Sequence, residues 1–241
     1  MTLKHIGVAF ALAAATAAAP ALAEPIMLDS SKVGESFTID YDGFANGRTV
    51  EGLSAQTIFT LTGVNGSTYT FDYQVTNTSN SGVNARISSF AFDTNPEIRR
   101  ARSTGAYSSV KTDRNYPNGI GKVDVCFKAA RSGSCAGNRG GLFAGESGGG
   151  SLSLKFHSAP TSLTLDDFFV RYQSVSGAGH ISSASGQQVS STSTGGSTSG
   201  GTPVPAPGGM LALFAMALLG FGLVRRRPTA PLPTTGQLAC S

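Results

Sequence analysis

Between Tyr69 and Thr76 the chain alternates strictly between apolar and polar side chains. Tyr69, Phe71, Tyr73 and Val75 interleave with Thr70, Asp72, Gln74 and Thr76. A period of two sends successive side chains to opposite faces of an extended backbone, so this run predicts a strand buried on one face. Val123, Val125 and Phe127 repeat the pattern against Lys122, Asp124 and Cys126, and Leu152, Leu154 and Phe156 repeat it against Ser151, Ser153 and Lys155. Leu163 and Leu165 open a further run. Beyond Asp166 and Asp167 it continues on the other parity through Phe168, Val170 and Tyr172. A one-step slip of phase inside a strand predicts a β-bulge. Weaker strands are predicted at 37–40, 57–61 and 87–92.

Turn residues separate these runs: Asn65-Gly66, then 77–82, 117–121 and the glycine-rich 145–150, which reads as a flexible hairpin turn. About eight strands joined by polar, glycine-rich turns predict an all-β fold, an antiparallel β-sandwich of jelly-roll or Ig-like type, over residues 24–180.

Two segments break the alternation because they are apolar throughout. After Lys4, residues 6–19 carry no charge, and Pro20 and the triplet Ala21-Leu22-Ala23 follow. A basic start, a short apolar run and small residues before a cut site form the layout of a secretory signal peptide, predicted to span 1–23 with Ala21 and Ala23 at the cleavage site. Residues 208–224 form a second apolar run of 17 residues, followed at once by Arg225, Arg226 and Arg227. That length is the lower limit for a membrane-spanning helix, and the Arg cluster holds its end on the cytoplasmic side. Residues 228–241 are then a cytoplasmic tail. Between body and helix, 181–203 is almost wholly Ser, Thr, Gly and Gln, with Val189 as an apolar interruption. It is predicted as a flexible linker with a reach on the order of 25 Å.

Val204-Pro205-Ala206-Pro207 stands immediately before the apolar helix. A proline-bracketed motif, a short helix and an Arg cluster over 204–227 resemble the PEP-CTERM sorting signals of Gram-negative bacteria. Ala206 stands where those signals usually carry Glu, and the residues after Arg227 exceed the usual tail. The resemblance implies two processing partners, signal peptidase and an exosortase. It also implies an inner-membrane-anchored precursor and a mature form at the cell surface or in the extracellular matrix, often beside exopolysaccharide. The body resembles the cistern family of PEP-CTERM proteins at 90–96, at 123–129, around Cys135 and at 163–177. That resemblance implies paired cysteines and surface sorting, and no particular activity.

Charge changes the picture less than its total suggests. The chain carries 18 Lys and Arg against 14 Asp and Glu, a formal charge of +4. Four of the 18, namely Lys4 and the three terminal arginines, belong to the targeting segments. The remaining 14 balance the 14 acids, all of which lie in the body. A nucleic-acid partner is therefore not predicted. Arg99, Arg100 and Arg102 cluster locally without interleaved aromatics and read as a solvated loop.

Cys126 and Cys135 lie close in sequence, and in an exported chain they are expected to form a disulfide, while Cys240 lies past the apolar helix. No His lies beside them, so neither a zinc site nor another metal or cofactor is predicted. Asp166 and Asp167 read as solvated carboxylates at a bulged strand edge. Only His157 and His180 fall in the body, and 145–148 lacks the spacing of a nucleophile elbow.

These readings predict an exported, biofilm- or exopolysaccharide-associated protein without catalytic activity. A carbohydrate-binding module is the alternative and a secreted hydrolase the third reading. With no Trp in the chain, sugar stacking falls to tyrosines such as Tyr41 and Tyr172, with Tyr107 and Tyr116 as the leading candidates.

Overall fold

The computed structural model describes residues 24–131, 133–137 and 139–194. The predicted signal peptide with Ala21 and Ala23, the motif Val204 to Pro207, the apolar helix, Arg225 to Arg227 and the tail lie outside the described residues. Among the described residues no helix is long and apolar enough to cross a membrane.

The strands follow in chain order: β1 Ile26–Leu28, β2 Ser36–Tyr41, β3 Phe44–Ala45, β4 Arg48–Thr49, β5 Ala55–Asn65, β6 Thr68–Asn77 and β7 Asn84–Asn95. They continue as β8 Ile98–Ser103, β9 Ser109–Tyr116, β10 Gly121–Lys128, β11 Leu142–Phe143, β12 Ser147–Phe156, β13 Leu163–Ser176 and β14 Ser183–Thr194. Every pairing among them is antiparallel. The fold is all-β, as the alternation predicts.

The main sheet runs β8-β12-β6-β5-β2-β14-β13-β7-β10-β9. Its two end strands, β8 and β9, are successive in the chain and joined across residues 104–108. The sheet thus curls until its ends nearly meet. The core lies inside that curl. Phe37 on β2 stacks on Phe59 of β5 at 5.2 Å between ring centroids. Phe59 then meets Phe92 of β7 edge-on at 5.9 Å, and Phe92 meets Phe168 of β13 at 5.4 Å. Phe90 of β7 stacks on Phe127 of β10 at 4.9 Å. Each of these rings is at most 2% exposed. Burying one contributes roughly 1.5–3 kcal/mol through the hydrophobic effect.

The parity slip in β13 is a bulge. Leu165 and Asp166 pair with Thr94 and Asp93, and the next partners are Phe169 and Ala91. Asp167 takes up the extra residue in the left-handed region, with φ at 48°. The bulge brings Phe168, Val170 and Tyr172 onto the core face that Leu163 and Leu165 occupy. The predicted strand edge is wrong, because β13 is interior, flanked by β7 on one side and by β14 and β1 on the other.

Three further expectations are corrected. Most of the predicted linker at 181–203 is strand: β14 takes 12 of its residues and lies between β13 and β2. Ala184, Ser185, Gly186 and Gln188 are buried there. Composition hid the strand, because its packing surface is small residues rather than large apolar ones. The Arg99, Arg100 and Arg102 cluster lies on strand β8, not in a loop. The glycines at 148–150 belong to β12. They serve close approach: a Cβ on Gly150 would stand 2.2 Å from the Thr104 carbonyl oxygen.

Candidate functional site

The outer face of β8, β12 and β6 carries cations and hydroxyls in register. Ser153 of β12 pairs with Thr70 of β6 and Arg102 of β8, and Lys155 pairs with Thr68 and Arg100. Because the side-chain period is two, all six side chains emerge on one face. Their neighbours Tyr69, Phe71, Leu152, Leu154 and Phe156 point the other way and are buried. The apolar half of each strand therefore fixes the polar half. Two shallow depressions of about 300 and 230 Å³ lie over these rungs and share Arg102 and Ser153, so they form one groove. Arg100, Arg102 and Lys155 are exposed. Among the described residues the ion pairs are Lys32–Glu35 and Lys122–Asp113, which leaves the three groove cations without a carboxylate partner. One end of the groove is fixed by Thr104. Its hydroxyl lies 2.9 Å from that of Ser151, and its carbonyl accepts the Tyr73 phenol at 2.7 Å.

The tyrosines do not form a sugar platform. Tyr107 is 0% exposed and Tyr116 is 3% exposed, so both candidate sugar contacts are interior. Tyr107 donates its hydroxyl to the Ile87 carbonyl at 2.8 Å. The Tyr116 hydroxyl lies 3.0 Å from that of Ser89. Tyr41 and Tyr172 are buried as well. Burial raises the ionisation of Tyr107 and Tyr116 well above the ordinary phenol value. Turn-rich flanking sequence suggested exposed rings. The structure uses Tyr107 to fill the interior beside the near-meeting ends of the sheet, and Tyr116 to build a second small core.

That second core contains the disulfide. Cys126 and Cys135 are bonded, and they pack with Ala91, Tyr116, Val123 and Phe169 on the face of the sheet away from the main core. The loop after β10 is held down by hydrogen bonds. Ser89 donates to the Cys135 carbonyl at 2.6 Å, Ser88 donates to that of Ala136 at 2.8 Å, and the Lys128 ammonium donates to that of Gly133 at 3.1 Å.

Acidic residues gather at the β13 bulge. Asp166 pairs directly with Asp93. Burial, with Asp124, Asp167 and Asp166 as like charges, pushes the Asp93 carboxyl up to about 6. Burial, with Asp166 beside it, raises Asp167 as well. Among the described residues no group of three or more His, Cys, Asp or Glu is arranged to hold a metal ion. His157 and His180 are both exposed, and neither makes a hydrogen bond to another described residue.

The groove is the feature that sequence reading missed. Its signal was present in the polar parity of two strands, Thr68-Thr70 and Ser153-Lys155. It became a site only once β8 was placed beside them. No family model, curated protein or solved structure matches the chain at a significant level.

Proposed function

We propose that this chain is an exported cell-surface or extracellular-matrix protein of the PEP-CTERM type, processed by a signal peptidase and an exosortase. Its β module, a sandwich of facing sheet halves, is structural or adhesive rather than catalytic. The observation that carries the reading is the Cys126–Cys135 disulfide, sealed into the second core. Such bonds form and persist in oxidising compartments outside the cytosol. The same chain carries a signal-peptide pattern before residue 24 and a sorting-signal pattern after residue 203. The sandwich description is supported by aromatic rings of β2 and β5 meeting those of β7 and β13 across the interior. A hydrolytic Ser–His pair is built on a hydrogen bond to the imidazole, and that reading finds no support at His157 or His180.

Mass spectrometry of the protein from cells and from medium tests the proposal. The expected mature form begins at Glu24, ends near the Val204 motif and contains the disulfide. Recovery of the uncut chain from the cytosol, with both thiols free, refutes it.

Carbohydrate binding stays in view as the second reading, moved from the tyrosines to the groove over β8, β12 and β6.

A further inference from the structure

We infer that the groove formed by Arg100, Arg102, Lys155, Thr68, Thr70 and Ser153 binds an acidic polysaccharide, one whose sugars carry carboxylate or sulfate groups. The inference rests on the proposed extracellular role and names the ligand class that this surface would meet there.

Charge complementarity is the first ground. Three cations stand on two neighbouring rungs of the sheet, within a patch of roughly 10 by 7 Å by strand geometry. None has an acidic partner among the described residues. Surface cations without partners pay little desolvation on meeting an anion, and a linear polyanion meets several at once. Asp72, opposite Ser151, occupies the next rung and bounds the positive patch on that side.

The hydroxyls choose the class of polyanion. Ser and Thr side chains both donate and accept hydrogen bonds, which is also what sugar hydroxyls do. Ser153 and Thr68 share these two rungs with the cations, so an acidic sugar can place its anion on Arg or Lys and its hydroxyls on the Ser and Thr beside them. The Thr70 hydroxyl is turned to the Gly63 carbonyl at 3.1 Å. Phosphodiester oxygens only accept, and single-stranded nucleic acid is usually held by stacking its bases on aromatic rings. The groove lining contains no aromatic ring. The shallow walls suit a chain lying across the sheet rather than a small molecule enclosed by it.

Edge-strand arginines also discourage sheet-to-sheet aggregation, and β8 is an end strand. That role accounts for Arg100 and Arg102, but not for Lys155 on the interior strand β12 or for the hydroxyls in register with it.

The test uses the full chain purified in detergent, passed over immobilised alginate, dextran sulfate, neutral dextran and single-stranded DNA. The expected result is retention on alginate or dextran sulfate that falls with added salt, with no retention on neutral dextran and weaker retention on DNA. The two acidic matrices separate carboxylate from sulfate recognition. The triple variant Arg100→Gln/Arg102→Gln/Lys155→Gln should lose at least tenfold in affinity with its melting temperature unchanged. A charge-matched control, Lys111→Gln/Arg114→Gln/Arg131→Gln, should keep wild-type affinity. Three results overturn the inference: no binding to either acidic glycan, equal binding by the triple variant, or tighter binding to DNA. If the triple variant proves unfolded, Lys155→Gln alone decides, with an expected loss of about threefold, and wild-type affinity refutes the inference. These measurements do not depend on where the protein resides. Failure here leaves the processing result standing, and cytosolic recovery leaves the binding result standing.

Discussion

The carboxyl of Asp93 accepts the backbone N–H of Asp124 at 2.8 Å, and the carboxylate of Asp124 accepts the N–H of Thr94 at 2.8 Å and its hydroxyl at 3.1 Å. Two neighbouring strands, β7 and β10, are thereby clasped through acids that repel each other.

That clasp predicts a dependence on pH. The Asp93 carboxyl is pushed up to about 6 in the folded chain from its ordinary value of 3.8, chiefly by burial. A carboxyl raised on folding binds its proton more tightly in the native state, so stability falls as pH rises between roughly 4 and 6 and then levels off. Asp93→Asn keeps an acceptor for the Asp124 N–H and removes the charge. It should be more stable than wild type by about 1 kcal/mol at pH 7, allowing for solvent screening, with no difference near pH 3.5. Urea melts of both proteins across this range check the claim, and parallel curves would contradict it.

The Tyr107 hydroxyl gives the Ile87 carbonyl a buried donor. Tyr107→Phe removes it and should cost about 1–2 kcal/mol in thermal or urea melts. Tyr107→Ala should cost about 3–5 kcal/mol by adding a cavity. Retention of Tyr107→Phe on acidic glycan should equal wild type, because the ring does not reach solvent.

Gly186 separates an integrated β14 from a free stalk. Its Cβ would stand 2.4 Å from the Asp42 carbonyl oxygen and 2.6 Å from Val170 Cγ2. Gly186→Val should cost about 3 kcal/mol or more through overpacking. The same change in an unstructured linker would leave the melt where it was.

Breaking the disulfide should loosen the second core while leaving the main one assembled. The bond closes a loop with a sequence separation of 9. The double variant Cys126→Ala/Cys135→Ala should lose about 2–4 kcal/mol, the amount by which the cross-link restricts the unfolded chain. Hydrogen exchange should rise first in 128–137, around the Cys135 and Ala136 carbonyls that Ser89 and Ser88 hold.

Strands whose inner positions are large and apolar were legible from sequence. The alternation at β6 and β12 placed their buried faces, and the parity slip at Asp166 and Asp167 located a real bulge. At β10 it placed Val125 and Phe127, but both faces are covered, with Val123 and the expected outward Cys126 in the second core. Strands that pack through small or mixed side chains were not. β14 reads Ser-Ala-Ser-Gly-Gln-Gln and resembles a linker until β13 and β2 are set on either side of it. β8 reads Ile-Arg-Arg-Ala-Arg-Ser and shows only Ile98 as a large apolar residue. The site was lost with β8, since a groove spanning three strands has no signature in any one of them. The tyrosines misled because an amphipathic ring between turn residues reads the same exposed or buried. Only the partners Ile87 and Ser89, distant in sequence, decide it.

The last described strand to leave the ribosome occupies the middle of the sheet. Ser190 of β14 donates to Asp40 of β2 across 150 positions of chain. Until β14 arrives, β2 lacks a partner on one flank and β13 is covered there only by β1, so the sheet stays open between them. If the chain is exported as proposed, a sheet that cannot close before β14 emerges would stay open while most of the polypeptide crosses, and the final pairing would follow translocation.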